Sequence, residues 1–350
     1  MKTVLIDLSI LKHINCGLGQ VAYNYGCYFK QHNPNDLDIH LLLPRQYFGL
    51  FGNNVKYIES KKIYQCFPFL LPKFDVWHAI HQLSHFRPSR ASSQYILTIH
   101  DMNFLHEKKG IKVDKYLHRL NKKIERANAI STISNYAKKD IISNLDLKKE
   151  IDVIYNGVEQ LSKDGERTPS YPINKEKPFF FTIGQIKQKK NFHVLLDVMK
   201  IMPEYNLYIA GQKGSSYCKS IESRIKEENI NNVFLVGEIL HSEKLWFYNN
   251  CHAFLFPSLL EGFGLPIIEA MFFGKPVFSS DKTSLSEIGH DAAFFFHDFE
   301  PEEMKRTITE KSLYFYSHPE MAQKNFEYAN SFSYEKHMQQ YLNLYRKLLK

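Results

Sequence analysis

Short apolar runs alternate with helix-period segments along both halves of the chain, and this alternation restricts the fold more than any other feature. In the first half "TVLIDL" (3–8), "DIHLLLP" (38–44), "VWHAI" (76–80), "YILTIHD" (95–101), "AISTIS" (129–134) and "IDVIYNGV" (151–158) read as buried strands. Between them lie segments of helical period, such as "GQVAYNYGCYFKQH" and "KYLHRLNKKIERAN", the second carrying Tyr116, Leu117, Leu120, Ile124 and Ala127 on one face. Strands that are apolar throughout, separated by helices, predict a parallel sheet covered on both faces. After residue 178 the series resumes with "FFFTIG", "NLYIAG", "NVFLVG", "HAFLFPS" and "KPVFSS", each divided from the next by a helical segment. The chain is expected to be α/β, with two Rossmann-like, doubly wound domains facing an interdomain cleft.

A length of 350 residues agrees with two cores better than with one. The stretch "QLSKDGERTPSYPINKEKP" (160–178) is polar, has three prolines and no apolar period, which is the composition of a linker. The expected domains are 1–165 and 179–332, joined by a linker at 166–178. A terminal amphipathic helix is expected over 333–350, in "SYEKHMQQYLNLYRKLL".

Charge is uneven along the chain. Residues 1–175 hold 25 Lys and Arg against 16 Asp and Glu, and the remainder 20 against 21. A basic first half suits an anionic partner or is a solvated lysine-rich surface. The five cysteines are scattered with no CxxC pair, which argues against structural zinc and against a disulfide framework. The opening "MKTVLIDLSILKH" is interrupted by Asp7 and Lys12 and does not read as a signal peptide, and no run is long and apolar enough to span a bilayer. The expected compartment is a reducing cytoplasm.

Four strand-end segments carry candidate chemistry, and strand ends are where open α/β sheets bind ligands. "PSLLEGFGLPIIEAMFFGKPV" (257–277) sets Glu261 and Glu269 on either side of a loop with Gly262, Phe263, Gly264 and Leu265. Pro266 opens the next helix, the glycines permit unusual backbone angles, and the helix N-terminus favours an anion. A carboxylate beside phosphate is repulsive, so the acids suit paired hydroxyls of a sugar or ribose. The plain alternative is a glycine-rich turn with solvated acids. "GQIKQKKN" (184–191) crowds Lys187, Lys189 and Lys190 behind Gly184 and Gln185, with Asn191 expected as the helix cap. A lysine there suits a diphosphate, or the loop is simply basic and solvated. "LTIHDMNFLH" ends a strand at His100, placed to bond a ligand, to shuttle a proton, or to fill an interface. "CGLGQVA" (16–22) matches G-x-G-x-x-A through Gly17 and Gly19, but its strand ends about eight residues too early and no acid closes the following strand. It reads better as a flexible loop feeding a helix.

Taken together these segments resemble the family 4 retaining glycosyltransferases of GT-B fold, over nearly the whole chain. "EGFGLPIIE" resembles the family's E-x7-E signature and "GQIKQKKN" its G-x-L-x-x-R-K-N segment. "TISNYAKKDI", "VIYNGVE" and "SLSEIGHDAAFFFHDFEPEEM" resemble further family segments. The resemblance implies that Glu261 holds hydroxyls of the donor sugar and that residues 262–265 contact sugar and phosphate through the backbone. It implies that Glu269 holds the nucleotide ribose, Lys190 the diphosphate, and Ile239 lies near the base. His100 would approach the donor sugar, Gly17 and Gly19 would form a loop near phosphate and acceptor, and the terminal helix would cross back onto the N-terminal, acceptor-binding domain. Gln185 and Lys189 stand where the family often has Arg.

The implied reaction moves a sugar from a nucleotide diphosphate sugar, GDP-mannose as the leading choice, to a glycan or lipid-linked acceptor with retention of configuration. Surface polysaccharide or lipopolysaccharide assembly is the implied setting. No metal and no cofactor are expected, and Glu261 would position and stabilise rather than attack. The mixed aromatic and lysine segment 47–74 either rests on an anionic inner membrane surface, peripherally, or is an ordinary loop with core residues. The competing readings are a nucleotide-sugar epimerase of similar architecture and a non-enzymatic basic module for membrane surfaces or nucleic acid. No nucleic-acid signature accompanies the charge, so no nucleic-acid partner is expected.

Overall fold

A computed structural model describes residues 1–14, 16–89, 93–159, 161 and 165–350. The chain divides into two compact units: Met1–Glu159 with Tyr334–Lys350, and Gln160–Ser333.

The first unit is built on seven strands: β1 (Lys2–Asp7), β2 (Leu37–Leu43), β3 (Lys56–Glu59), β4 (Val76–Ala79), β5 (Gln94–Ile99), β6 (Ala129–Thr132) and β7 (Ile151–Val153). They lie in the order β3-β2-β1-β4-β5-β6-β7, every neighbouring pair parallel. The chain thus winds outward from β1 to one edge, returns, and winds outward from β4 to the other. Inner strands are apolar along their length because helices cover both faces: β4 is buried at all four residues. One core layer joins Leu5, Leu42, Trp77, Leu97 and Ile130 of the sheet to Leu120 and Ile124 of the helix Ile111–Arg126.

The helix Tyr334–Leu348 belongs to this unit, where it lies against the helix Gly17–Gln31. It buries Met338, Tyr341, Leu342 and Tyr345, and its polar atoms find partners in the sheet. The Tyr345 hydroxyl meets His78 Nδ1 at 2.7 Å, and the Tyr341 hydroxyl lies 3.1 Å from both Thr98 and Ser131. His337 Nδ1 donates to the Tyr155 carbonyl at 2.7 Å. A two-pronged Arg346–Asp36 pair, at 2.8 and 2.9 Å, closes the far end.

The second unit repeats the plan with six parallel strands: β8 (Phe179–Ile183), β9 (Asn206–Ala210), β10 (Val233–Gly237), β11 (Ala253–Phe256), β12 (Val277–Ser280) and β13 (Phe294–Phe296). Their order is β10-β9-β8-β11-β12-β13. Phe180, Leu195, Met199, Ile209, Leu255 and Phe278 form one core layer. Of the stretch expected as a linker, 166–178 is bonded to this unit: Arg167 N–H donates to the Ser242 carbonyl at 3.1 Å, Ser170 N–H to the Glu243 carboxylate at 2.7 Å, and Asn174 N–H to the Tyr208 hydroxyl at 3.0 Å.

Two local expectations are corrected. Asn191 does not cap the helix that follows. It takes a left-handed conformation, φ 57°, and ends the short 3-10 turn Gln188–Lys190, while Phe192 precedes the helix His193–Lys200. Asn tolerates that region because its short polar side chain can hydrogen-bond to the local backbone. Pro266 is the second residue of the helix Leu265–Phe272, not the first, which suits it equally because both positions have unused N–H groups.

Candidate functional site

In the second unit the order of the strands reverses between β8 and β11, and the loops that leave these two strands carry the candidate residues. The β8 loop brings Lys190 inward, with only 11% of its side chain exposed. Gly184 makes room for it: a Cβ there would stand 3.1 Å from Lys190 Cε. Gly184 itself is pinned by its N–H to the Ala210 carbonyl at 3.0 Å, and a Cβ on Gly211 would strike the Gly184 carbonyl. Gln185 is half-buried beside it. The β11 loop brings Glu261, whose Oε1 accepts from Lys190 Nζ and, at 2.7 Å, from the Ser258 hydroxyl. The ammonium also sits 4.9 Å from the centre of the Phe256 ring.

The loop beyond Glu261 is fastened by hydroxyls. Thr283 Oγ1 accepts the Glu261 N–H at 3.1 Å, and the Ser284 hydroxyl lies 3.0 Å from both the Glu261 and Phe263 carbonyls. Phe263 is buried edge-on against Phe332. Gly264 needs its freedom: φ is +112°, and a Cβ would stand 2.6 Å from Leu285 Cδ2. The helix Leu265–Phe272 then starts, buried through Ile267, Ile268 and Met271, and carries Glu269. Glu269 accepts from Lys244 Nζ at 2.8 Å through Oε1 and from the Tyr248 hydroxyl at 2.8 Å through Oε2. Burial, and then the neighbouring carboxylate, hold the Tyr248 phenol far above its ordinary pKa, so it stays a donor. Ile239 is half-buried between β10 and the helix His241–Asn250 that supplies Lys244 and Tyr248.

These contacts explain how two carboxylates stand in an apolar stretch. Each is matched by a lysine and by a hydroxyl, so neither charge is stranded. A carboxylate oxygen has further lone pairs, and Glu261 Oε2 accepts from no described residue, so both acids are fitted to take hydrogen bonds from ligand hydroxyls. Lys244, Tyr248 and Ser258 are additions to what the sequence suggested. Lys244 and Tyr248 are four residues apart on one helical face, and that spacing was the available signal.

Gly17, Gly19 and His100 belong to the first unit. Gly17 and Gly19 open the helix Gly17–Gln31, and a Cβ on Gly19 would collide with the His13 carbonyl, so the chain after β1 folds back tightly. A short 3-10 helix, Ser9–His13, occupies the interval that spoiled the dinucleotide fingerprint. His100 follows β5 and is buried; its Nε2 donates to the Ile80 carbonyl at 2.8 Å, and its N–H to the Gln82 side chain at 3.1 Å. Burial lowers its pKa to about 4. It is therefore neutral at pH 7, with Nδ1 as the acceptor nitrogen. Among the described residues no group of three or more His, Cys, Asp or Glu side chains could hold a metal ion.

Two family models match this chain: Glycosyltransferase Family 4 over residues 33–160 and Glycosyl transferases group 1 over 164–330. The chain belongs to the family 4 glycosyltransferases. Among curated relatives, an uncharacterised glycosyltransferase of Methanocaldococcus jannaschii is 27% identical over 71% of this chain and 67% of its own. The O-antigen chain mannosyltransferase RfbU of Salmonella typhimurium is 29% identical over 57% of this chain and 55% of its own. The serotype-specific mannosyltransferase WbdA of Escherichia coli is 28% identical over 57% of this chain, which spans only 26% of that longer protein. Solved structures share the fold along the whole chain. HepE of Anabaena, solved with UDP-glucose, superposes with a TM-score of 0.76 at 16% identity, covering 99% of this chain and 100% of its own. Sucrose-phosphate synthase of Thermosynechococcus elongatus gives 0.75 at 15% identity, with 99% of each chain covered. The fold of this family 4 glycosyltransferase is therefore GT-B, with two Rossmann-like parallel-sheet domains.

Proposed function

We propose that this family 4 glycosyltransferase moves a sugar, with retention of configuration, from a nucleotide diphosphate sugar to a hydroxyl of a glycan or lipid-linked acceptor. One observation carries the reading: Glu261 and Glu269 are each neutralised by a lysine, Lys190 and Lys244, at the two ends of one loop and helix beside the strand-order reversal. Glu261 binds hydroxyls of the donor sugar through its open Oε2, and Glu269 binds the ribose. Lys190 and the amides around residues 262–265 take the diphosphate, and Ile239 lines the base. Relatives named as O-antigen chain or serotype-specific mannosyltransferases support GDP-mannose as donor and surface polysaccharide as product. HepE, solved with UDP-glucose, supports a nucleotide sugar in general.

In the reaction the bond from the anomeric carbon to the phosphate oxygen breaks, and its electron pair leaves with the nucleoside diphosphate. The acceptor oxygen bonds to the same face of the carbon, and its proton passes to the leaving phosphate. Lys190 offsets the charge that grows on that phosphate, so the step requires no metal. Glu261 steadies the cationic sugar without forming a bond to it. Neutral His100 contributes an acceptor nitrogen for a sugar hydroxyl rather than a proton. The exposed Ile63, Phe67, Phe69 and Leu70 offer a peripheral hold on an anionic membrane surface that presents the acceptor, with the enzyme on its cytoplasmic side.

The test is a panel of sugar nucleotides in thermal unfolding, followed by product analysis with an acceptor present. A ligand bound by the native state alone raises Tm. GDP-mannose is expected to give the largest shift, and the product to keep the donor's anomeric configuration. No shift with any sugar nucleotide would remove the donor reading, and an inverted product the retaining one.

A further inference from the structure

The first sheet also reverses its strand order, between β1 and β4, and a pocket of about 830 Å³ opens there. Its walls are the segment after β1, the loop after β4 and the helix Ile111–Arg126. The mouth is basic. Lys12, Arg87, Arg119, Lys122 and Arg126 line it, and Glu125 is the one carboxylate among the lining residues. Arg119, Lys122 and Arg126 are spaced to share one face of the helix. None of these five cations forms an ion pair with a described residue, unlike Lys190 and Lys244 of the second unit.

Inside the pocket a donor waits without a partner. His81 is 3% exposed and lines the cavity. Its Nδ1 accepts the Leu83 N–H at 3.1 Å, so the ring proton is on Nε2, and that buried N–H meets no acceptor among the described residues. Burial and the surrounding positive charge lower the His81 pKa to about 3, so the ring is a neutral donor at pH 7. The loop that carries it is held rigid. Asp7, at the end of β1, accepts from the Ser84 hydroxyl and, at 3.0 Å, from the Ser9 N–H, while Lys123 donates to the Gln82 and Ser84 carbonyls. Lys123 is thereby spent on the backbone, and the other cations remain for a ligand.

We propose that this pocket is a phosphoryl site, taking a phosphate or diphosphate of the acceptor substrate between Arg119, Arg126 and the His81 Nε2–H. The assignment rests on the transferase reading, because it treats the first unit as the acceptor side. Unpaired guanidinium groups suit phosphate oxygens in two-pronged contacts, and a preformed buried donor suits an oxyanion. The pocket names the acceptor's chemistry: a sugar acceptor that is phosphorylated or carried on a diphosphate, rather than a neutral glycan.

Inorganic pyrophosphate is the probe, titrated calorimetrically at low salt into the full chain. Wild type is expected to show two classes of site. Lys190→Ala removes the one in the second unit and leaves the pocket. Adding Arg119→Gln and Arg126→Gln to that variant weakens the remaining binding about tenfold or more, since a hydrogen bond to a charged group contributes that much. Both arginines are exposed, so folding is unaffected. His81→Phe, in the Lys190→Ala background, lowers affinity by removing the inner donor. Retained affinity in the triple variant overturns the pocket, as does loss of all binding in Lys190→Ala alone, which leaves the donor site standing. If wild type binds and Lys190→Ala changes nothing, the donor reading fails and the pocket survives. Vesicles of phosphatidylglycerol separate the sources: their binding falls with Arg119→Gln and Arg126→Gln if the phosphoryl group is a lipid headgroup, and persists if it belongs to a soluble acceptor.

Discussion

Among the described residues Glu261 is engaged through one oxygen only, and this decides which substitution tests it. Alanine strands the Lys190 ammonium, 11% exposed, and is expected to cost about 1–3 kcal/mol of stability. Glutamine keeps a side-chain oxygen for Lys190 and Ser258 and removes only the charge. Glu261→Gln is therefore expected to unfold within about 2 °C of wild type while transfer falls about a hundredfold or more, the scale of a lost electrostatic contact in a transition state. Unchanged turnover in that variant would sink the role given to Glu261. Both acids were legible in the sequence, because seven residues separate them across a glycine loop and a helix start. Their partners were less so. Lys190 was visible as one lysine of three, but Lys244 and Tyr248 reach Glu269 from a helix more than twenty residues away in the chain, and their four-residue spacing marks a shared face without naming its partner. Asn191 was misread for a related reason: a cap and a left-handed turn favour the same residue type.

Among elements, the inner strands were readable because a strand buried on both faces is apolar throughout, as "FLF" in β11 and "LYI" in β9 show. The edge strand β3, "KYIE", was not: it is four residues long, half-exposed, and looks like loop. It lies within the segment where a membrane contact was weighed against a plain loop. That segment proves mixed, with Phe51, Leu71 and Phe74 buried and Phe69 at 69% exposure. Phe67→Ser with Phe69→Ser should reduce flotation with phosphatidylglycerol vesicles and leave Tm unchanged; wild-type protein that stays with the bottom fraction ends the membrane reading. The loop before the helix Leu265–Phe272 makes a second claim. Gly264→Ala meets both a positive φ and the Leu285 side chain, so it should lower stability by about 1–3 kcal/mol. It should also weaken nucleotide-sugar binding, because Phe263 and Leu265 must move with it. Stability lost without any loss of binding would mean that the loop does not touch the donor.

For the molecule as a whole, buried histidines divide the two units. His78, His81, His100 and His337 all belong to the first, each buried with a depressed pKa: about 3 for His81, about 4 for His100 and His337, and well below the ordinary value for His78. Burial is the leading cause in every case, and each ring is neutral in the fold. The unfolded chain protonates them near 6.5. Above that pH neither state carries the proton and stability is complete. As pH falls from 6.5 toward 4 the unfolded state takes up protons that the folded state refuses, and each histidine removes up to about 1.4 kcal/mol per pH unit. His78 bonds Thr98 of the sheet and Tyr345 of the terminal helix, and His337 ties that helix to the Tyr155 carbonyl and the Tyr25 hydroxyl, so protonation there releases Tyr334–Leu348 as well. Among its described residues the second unit has no comparable set: its depressed histidines, His193 and His252, are less buried. The two tryptophans report the units separately, Trp77 from the core of the first and Trp246 stacked on Phe179 in the second. In Trp246→Phe, the urea midpoint followed by Trp77 fluorescence should fall steeply between pH 7 and pH 5, whereas Trp77→Phe, followed through Trp246, should show a shallower decline. Parallel declines would mean that the buried histidines do not govern acid stability, or that the units unfold as one.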